Sequence, residues 1–247
     1  MKAVRNYREM IRHGGMRSFT VKIKETDLWV AFDADHDLDC CRLAEDTREY
    51  LRRCRLDLEN YIGKYPEFGR TLQPYPVGEN EEVPPIVQRM IMAGNAAGVG
   101  PMAAVAGAFA EGVGEFLLRR TRNVIVENGG DIFLKTERPC KVGIHAGDSP
   151  LSGRVGVEIP PGDTPAGICT SSGTVGHAFS MGKADAAVVF SPSTPLADAA
   201  ATALGNAVKD KECLEEALHF VSAIKGVTGA LVICEDRLAA WGKIKLC

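Results

Sequence analysis

Aromatic residues make up 6% of this 247-residue chain. They are scattered, at positions such as Phe19, Trp29 and Trp241, and build no stacking platform for single-stranded nucleic acid. A basic excess is missing too. The 29 Lys and Arg stand against 32 Asp and Glu, a net charge of −3, so nothing marks a nucleic-acid footprint. The opening stretch, MKAVRNYREMIRHGG, is basic but lacks the apolar core of about 7–15 residues that a secretory signal needs. Eight cysteines occur without a C-x-x-C pair, which reads as eight free thiols in a reducing, cytoplasmic compartment and not as a disulfide scaffold. No G-x-G-x-x-G spacing joins a strand pattern to a helix pattern, so the Rossmann phosphate loop is excluded. One run, Met90–Ala110, carries no charge over 21 residues and meets the length of a membrane span. It contains Asn95, Pro101 and several glycines and no leucine, so its transfer into lipid is poor. We read it as buried core, with no membrane partner.

What the chain does have is alternation and small residues. Phe19, Val21 and Ile23 alternate with polar neighbours, and Leu28, Val30 and Phe32 resume the pattern, which predicts a β-hairpin with one buried face. Leu43, Tyr50, Leu51, Cys54, Leu58 and Ile62 fall on one stripe of a helix over about 38–62. Glycines and prolines over 63–85 predict a long surface loop. Pro85 starts a helix to about Ala97, and Gly98 to Pro101 break it before a second helix built of Ala and Gly. Short strands follow near 123–127, 131–136, 140–145, 154–159, 166–170 and 185–191. Two helices come next, one with Thr194 as N-cap and Pro195 at its first position, the other from about Asp210. A hairpin turning at Glu235 to Arg237 closes the order. Hairpins at both ends with helices between them predict a single α+β domain over 1–247, made of two intimately packed halves with largely antiparallel sheets. An internal duplication is compatible with this order, although the two halves are too different in sequence to display it.

Three segments could carry chemistry. Asn128-Gly129-Gly130-Asp131 joins two apolar strands and suits a two-residue turn with positive φ. A plain hairpin turn is the simpler account, and the sharper one is that its bare backbone admits a flat ring or a phosphate beside Asp131. Thr170, Ser171, Ser172 and Thr174, with Gly173 among them, offer four hydroxyls to a diphosphate, or form a polar turn. Asp198 and Thr202 lie four apart on one helix, with Cβ atoms roughly 6 Å from each other. With a main-chain carbonyl they could hold a hard cation such as Mg²⁺, although the helix dipole alone favours an Asp in a first turn. Ser172 and His177 suggest a metal-independent hydrolase, but no third group completes that pair.

In order, these pieces resemble the ApbE-like superfamily of FAD:protein FMN transferases, and more specifically a compact branch of it. Gly107-Ala108-Phe109-Ala110-Glu111-Gly112 is similar to that family's small-residue helix. Val126 to Asp131 resembles its Gly-Gly-Asp hairpin, Cys169-Thr170-Ser171 its Thr-Ser-Gly turn, and Ala197 to Leu204 its metal-binding helix. The resemblance implies a fold of T-fold type, FAD and Mg²⁺ as cofactors, and transfer of FMN to a Ser or Thr of a partner protein with release of AMP. It further implies that the Ala110 carbonyl, Asp198 and Thr202 hold the metal, and that Gly129, Gly130, Asp131, Thr170, Ser171 and Ser172 line the nucleotide. Asp198 and His177 are the catalytic candidates. The family's Lys in the small-residue helix is Glu111 here, and its His-x-Ile-x-Asp-Pro segment is replaced by the shorter HAFSMGKADAAVVFS. The alternative is a non-catalytic flavin- or nucleotide-binding module that kept the fold without the transferase chemistry.

Overall fold

The computed structural model describes residues 15–33, 39–78, 81–173 and 182–247. His177 and Thr174 lie outside them. Eight strands form one sheet in the order β1 (Arg17–Ile23), β2 (Thr26–Phe32), β3 (Val124–Asn128), β4 (Asp131–Lys135), β7 (Ala166–Ser171), β8 (Ala186–Ser191), β9 (Gly229–Cys234) and β10 (Arg237–Gly242). Every neighbouring pair in it is antiparallel. Between β4 and β7 the chain makes β5 (Cys140–Gly143) and β6 (Gly156–Ile159), which pair with β11 (Lys245–Leu246) in a separate three-stranded sheet.

The helices are inserted inside the hairpin order. α1 (Cys40–Lys64), α2 (Pro85–Ala97) and α3 (Val105–Leu117) lie between β2 and β3, and α4 (Thr194–Ala207) and α5 (Leu214–Ser222) between β8 and β9. Hairpin, helices, hairpin therefore occurs twice in topology. The halves meet on the short β4–β7 ladder, where Ile132, Phe133 and Leu134 face Ile168, Gly167 and Ala166.

Alternation along the strands sorts the core into two layers. Val126, Phe133, Cys169, Val189 and Val232 pack with the helices. Leu134, Ile168, Val188 and Leu231 face the other way, against Ile144, Val157 and Ile159 beneath the small sheet. All of β8 and β9 is buried, as expected for strands covered on both faces.

The expected elements are present with small shifts. α1 begins at Cys40 because the Asp39 side chain accepts the Cys41 and Arg42 amides. Its buried stripe is Leu43, Thr47, Leu51, Leu58 and Tyr61, with Tyr50, Cys54 and Ile62 only half-buried at the margin. α5 starts at Leu214, not near Asp210, because residues 208–213 turn first. Thr194 is the first residue of α4 and does not cap it; Ser193 holds the N-cap position and makes no side-chain cap bond. The uncharged run bends by 108° between Pro85–Ala97 and Pro101–Leu117, and among the described residues no single helix is long and apolar enough to cross a membrane. All eight cysteines are free thiols.

Candidate functional site

The β3–β4 hairpin closes on Asn128 opposite Asp131, with Gly129 at φ 74° and Gly130 at φ 108°. Two successive positive φ values suit glycine, and they give the two-residue turn that the sequence predicts. Gly129 is exposed, whereas Asn128 and Asp131 are buried. The Asn128 side-chain amide donates to the Ala106 carbonyl at 3.1 Å. The buried Glu127 carboxylate takes the Gly130 amide at 2.8 Å. The turn is thus fastened to the first turn of α3, and one of its two glycine amides is already spent.

α3 crosses α4 at Gly107. A Cβ there would lie 2.6 Å from the Thr194 carbonyl oxygen and 2.9 Å from the Asp198 Cβ, so only glycine permits this approach. In the crossing the Gly107 amide donates to Asp198 Oδ2 at 2.8 Å, and the Ala106 amide also reaches that carboxylate. Asp198 keeps some exposed surface as a residue, but its carboxylate lies deep in the crossing. Burial and then the neighbouring Asp131 charge push its pKa well above the ordinary carboxylate value, against the pull of the two amides.

Cys169 sits between these acids. It is fully buried, its thiol donates to the Thr194 carbonyl at 3.4 Å, and burial followed by the Asp131 and Asp198 charges raises its pKa. By the two-residue alternation of β7, Ser171 shares the helix-facing side with Cys169, while Thr170 falls on the opposite side with Ile168. The backbone of Thr170 still passes the glycine turn, its carbonyl 3.9 Å from where a Gly130 Cβ would stand.

At the other corner of the crossing Glu111 Oε2 accepts the Thr194 amide at 2.7 Å and Oε1 pairs with Arg89 at 3.1 Å. Burial raises the Glu111 pKa, with the Thr194 amide and Arg89 opposing. A recess of about 290 Å³ lies beside it, lined by Glu111, Glu115, Phe133, Pro165, Pro192 and Ser193. A wider, acidic recess of about 500 Å³ at Asp148, Asp185, Lys211, Glu235 and Asp236 shares no residue with the crossing.

The structure therefore brings together Asp131, Asp198 and Cys169, with Gly129 and Gly130 next to Asp131 in the chain, and Ser171 stands on the same face of β7 as Cys169. Thr202 follows one turn on from Asp198 and is half-buried, Ser172 lies just beyond the end of β7, and Ala110 is fully buried in the second turn of α3. Sequence reasoning gave no role to Glu127 and Arg89, and it read Gly107 only as part of the small-residue helix and Asn128 only as part of the turn. The contacts of Asn128 with Ala106 and of Arg89 with Glu111 join segments that local periodicity does not relate.

No group of three or more His, Cys, Asp or Glu side chains among the described residues could hold a metal ion. An ion here would need neutral oxygens beside the acids. The donors fit a hard cation in kind, since the carboxylates of Asp131 and Asp198, from different elements, lie near each other and the Asp131 charge opposes ionisation of Asp198.

Comparison with known proteins gives the same answer as the topology. A family model described as AbpE bacteria matches residues 8–240. A UPF0280 protein of Methanosarcina acetivorans is 43% identical over 225 residues, covering 90% of this chain and 85% of its own. Another, from Methanocaldococcus jannaschii, is 40% identical over 227 residues, covering 90% and 89%. Among solved structures, the flavinyl transferase ApbE of Pseudomonas stutzeri in its apo form superposes with a TM-score of 0.57 at 15% identity, covering 94% of this chain and 97% of that one. The flavin transferase ApbE of Vibrio cholerae gives 0.57 at 14% identity, covering 92% and 96%. At such identities the structural likeness concerns the fold. With nearly the whole sequence matched by the family model and the ApbE architecture present from β1 to β10, the chain belongs to the AbpE bacteria family within the ApbE-like superfamily.

Proposed function

We propose that this protein binds FAD with Mg²⁺ at the α3–α4 crossing and transfers FMN from it to a Ser or Thr hydroxyl of a partner protein. One observation supports the reading: Asp131 on β4 and Asp198 on α4, remote in sequence, lie beside each other at the helix crossing, next to Cys169 of β7. At the Glu111 corner Arg89 supplies the positive charge. Among the described residues no lysine or arginine forms an ion pair with Asp198, which leaves that corner suited to a cation from outside the chain.

In this reading Asp198 and Thr202 hold the ion, with a main-chain carbonyl of α3 as third donor, Ala110 being the family-based candidate. Mg²⁺, when bound, supplies neutralisation of the pyrophosphate charge. The Ser171 hydroxyl and the loop at Ser172 orient the phosphates, Thr170 lines their approach through its backbone, and the exposed Gly129 lets a flat ring come close. Asp131 accepts from the nucleotide. The acceptor hydroxyl oxygen forms a bond to the FMN phosphorus as the pyrophosphate bond breaks, AMP departs, and the hydroxyl proton passes to a base, for which His177 and Asp198 are the candidates. A second reading, binding without transfer, is favoured by Glu127 occupying the Gly130 amide, because that donor is then lost to a phosphate.

The test is incubation of the purified protein with FAD, Mg²⁺ and a Ser/Thr-containing acceptor peptide, with AMP followed by chromatography and FAD binding by calorimetry. Transfer predicts AMP release that Asp198→Asn abolishes. Magnesium-dependent binding without AMP selects the second reading, and absence of both refutes the proposal.

A further inference from the structure

We propose that Glu111 is a positioning residue, which holds Asp198 on the first turn of α3 because the two helices cap each other reciprocally. Its consequence for cation binding rests on the reading of Asp198 given above; its geometry does not.

The first amides of a helix have no partner within it and carry partial positive charge. Neither α3 nor α4 supplies a side-chain cap of its own, Ala104 and Ser193 occupying the N-cap positions without one. Each helix borrows a carboxylate from the other. Glu111 of α3 takes the Thr194 amide of α4 at 2.7 Å, and Asp198 of α4 takes the Gly107 amide of α3 at 2.8 Å. On each helix the carboxylate stands four residues beyond the amide, 107 to 111 and 194 to 198. The four positions thus close a crosswise figure in which one helix turn faces one helix turn.

The close approach at Gly107 leaves little slack in that figure. Arg89, from α2, fixes the other oxygen of Glu111 at 3.1 Å and reaches Glu115 at 2.6 Å. Releasing the Thr194 amide would free the start of α4, and Asp198, one turn along, would move with it.

The test follows the Gly107 and Thr194 amides by NMR hydrogen exchange, and Mn²⁺ affinity by paramagnetic resonance, in the wild type, Glu111→Ala, Glu111→Gln and Glu111→Asp. Glu111→Ala should speed exchange at Thr194 and also at Gly107, which it does not touch, by about tenfold or more. It should weaken Mn²⁺ binding about tenfold, as expected when a supporting contact is lost. Glu111→Gln keeps an acceptor for Thr194 and should restore both to within about threefold of wild type. If Glu111→Ala does not fold, Glu111→Asp, which keeps the charge but shortens the reach, should loosen the same two amides. A Gly107 amide that is unaffected, or that changes only in proportion to Leu231 and Val232 in the sheet, overturns the proposal. A wild type that binds no Mn²⁺ while the two amides remain coupled would refute the cation reading and leave the positioning role standing.

Discussion

The side-chain amide of Asn128 donates to the carbonyl of Ala106 at 3.1 Å, and so joins a hairpin turn to a helix 22 residues earlier in the chain. Asn128 is buried and Ala106 half-buried, so losing the bond leaves a sheltered polar group without its partner. Asn128→Ala should lower the unfolding free energy in urea by about 1 kcal/mol. Asn128→Asp should cost more, because an ionised carboxylate would face a carbonyl oxygen. Equal stability of the two variants would remove the bond from this account.

Gly107→Ala tests the closeness of α3 and α4. Alanine favours a helix over glycine by about 1 kcal/mol, yet here its methyl would meet the Thr194 backbone at 2.6 Å. Overpacking of that kind costs about 1–3 kcal/mol, and net destabilisation in chemical denaturation is expected. Gly63→Ala in α1 is the control, since nothing lies within 4 Å of its Cβ. That variant should gain up to about 1 kcal/mol from propensity alone.

The hairpin turn and the helix crossing were legible in the sequence to different degrees. Asn-Gly-Gly-Asp between apolar strands specifies its own turn, because positive φ at two successive residues admits few side chains. The spacing of Asp198 and Thr202 placed both on one helix turn, but it carried no information about Glu111 reaching Thr194. That contact joins positions 83 residues apart, and local periodicity has no access to it. Thr194 consequently read as a cap when it is the capped residue. The replacement of the family's Lys by Glu111 has its explanation in the fold, where the carboxylate is taken up by Thr194 and Arg89. The hydroxyls of β7 were grouped by sequence, and the pleat divides them, giving Ser171 and Thr170 to different faces.

Stability should fall as pH rises through the titration of Asp198. In the unfolded chain this carboxyl titrates near its ordinary value of 3.8, while in the fold burial and Asp131 hold it protonated to higher pH. Between those two values the folded state binds the additional proton, so the stabilisation is complete below the unfolded value and is lost as pH climbs through the folded one. Glu111 shifts in the same direction. Thermal melts in EDTA across acidic to neutral pH should show this decline, and Asp198→Asn should flatten it. Parallel curves for the two proteins would contradict the assignment.

Glu127→Ala should remove the acceptor of the Gly130 amide and cost about 1–3 kcal/mol. Glu127→Gln retains an acceptor of the same length and should lose less, as read by the urea midpoint. If Gly130 is the donor that a phosphate needs, Glu127→Ala should also strengthen FAD binding measured by calorimetry while it weakens the fold.

Thr202→Val preserves shape and removes one hydroxyl. With Thr202 half-buried, the melting midpoint should stay near wild type, while the magnesium-dependent part of FAD affinity should fall about tenfold as a metal donor is withdrawn. Unchanged affinity would strike Thr202 from the ligand set.

The two halves of the molecule share one short strand ladder, and α3 from the first half meets α4 from the second directly above it. A ligand seated at that meeting would grip both at once. It would raise the free energy of separating them by mass action, so bound protein should unfold as one body even under conditions where either half alone begins to loosen.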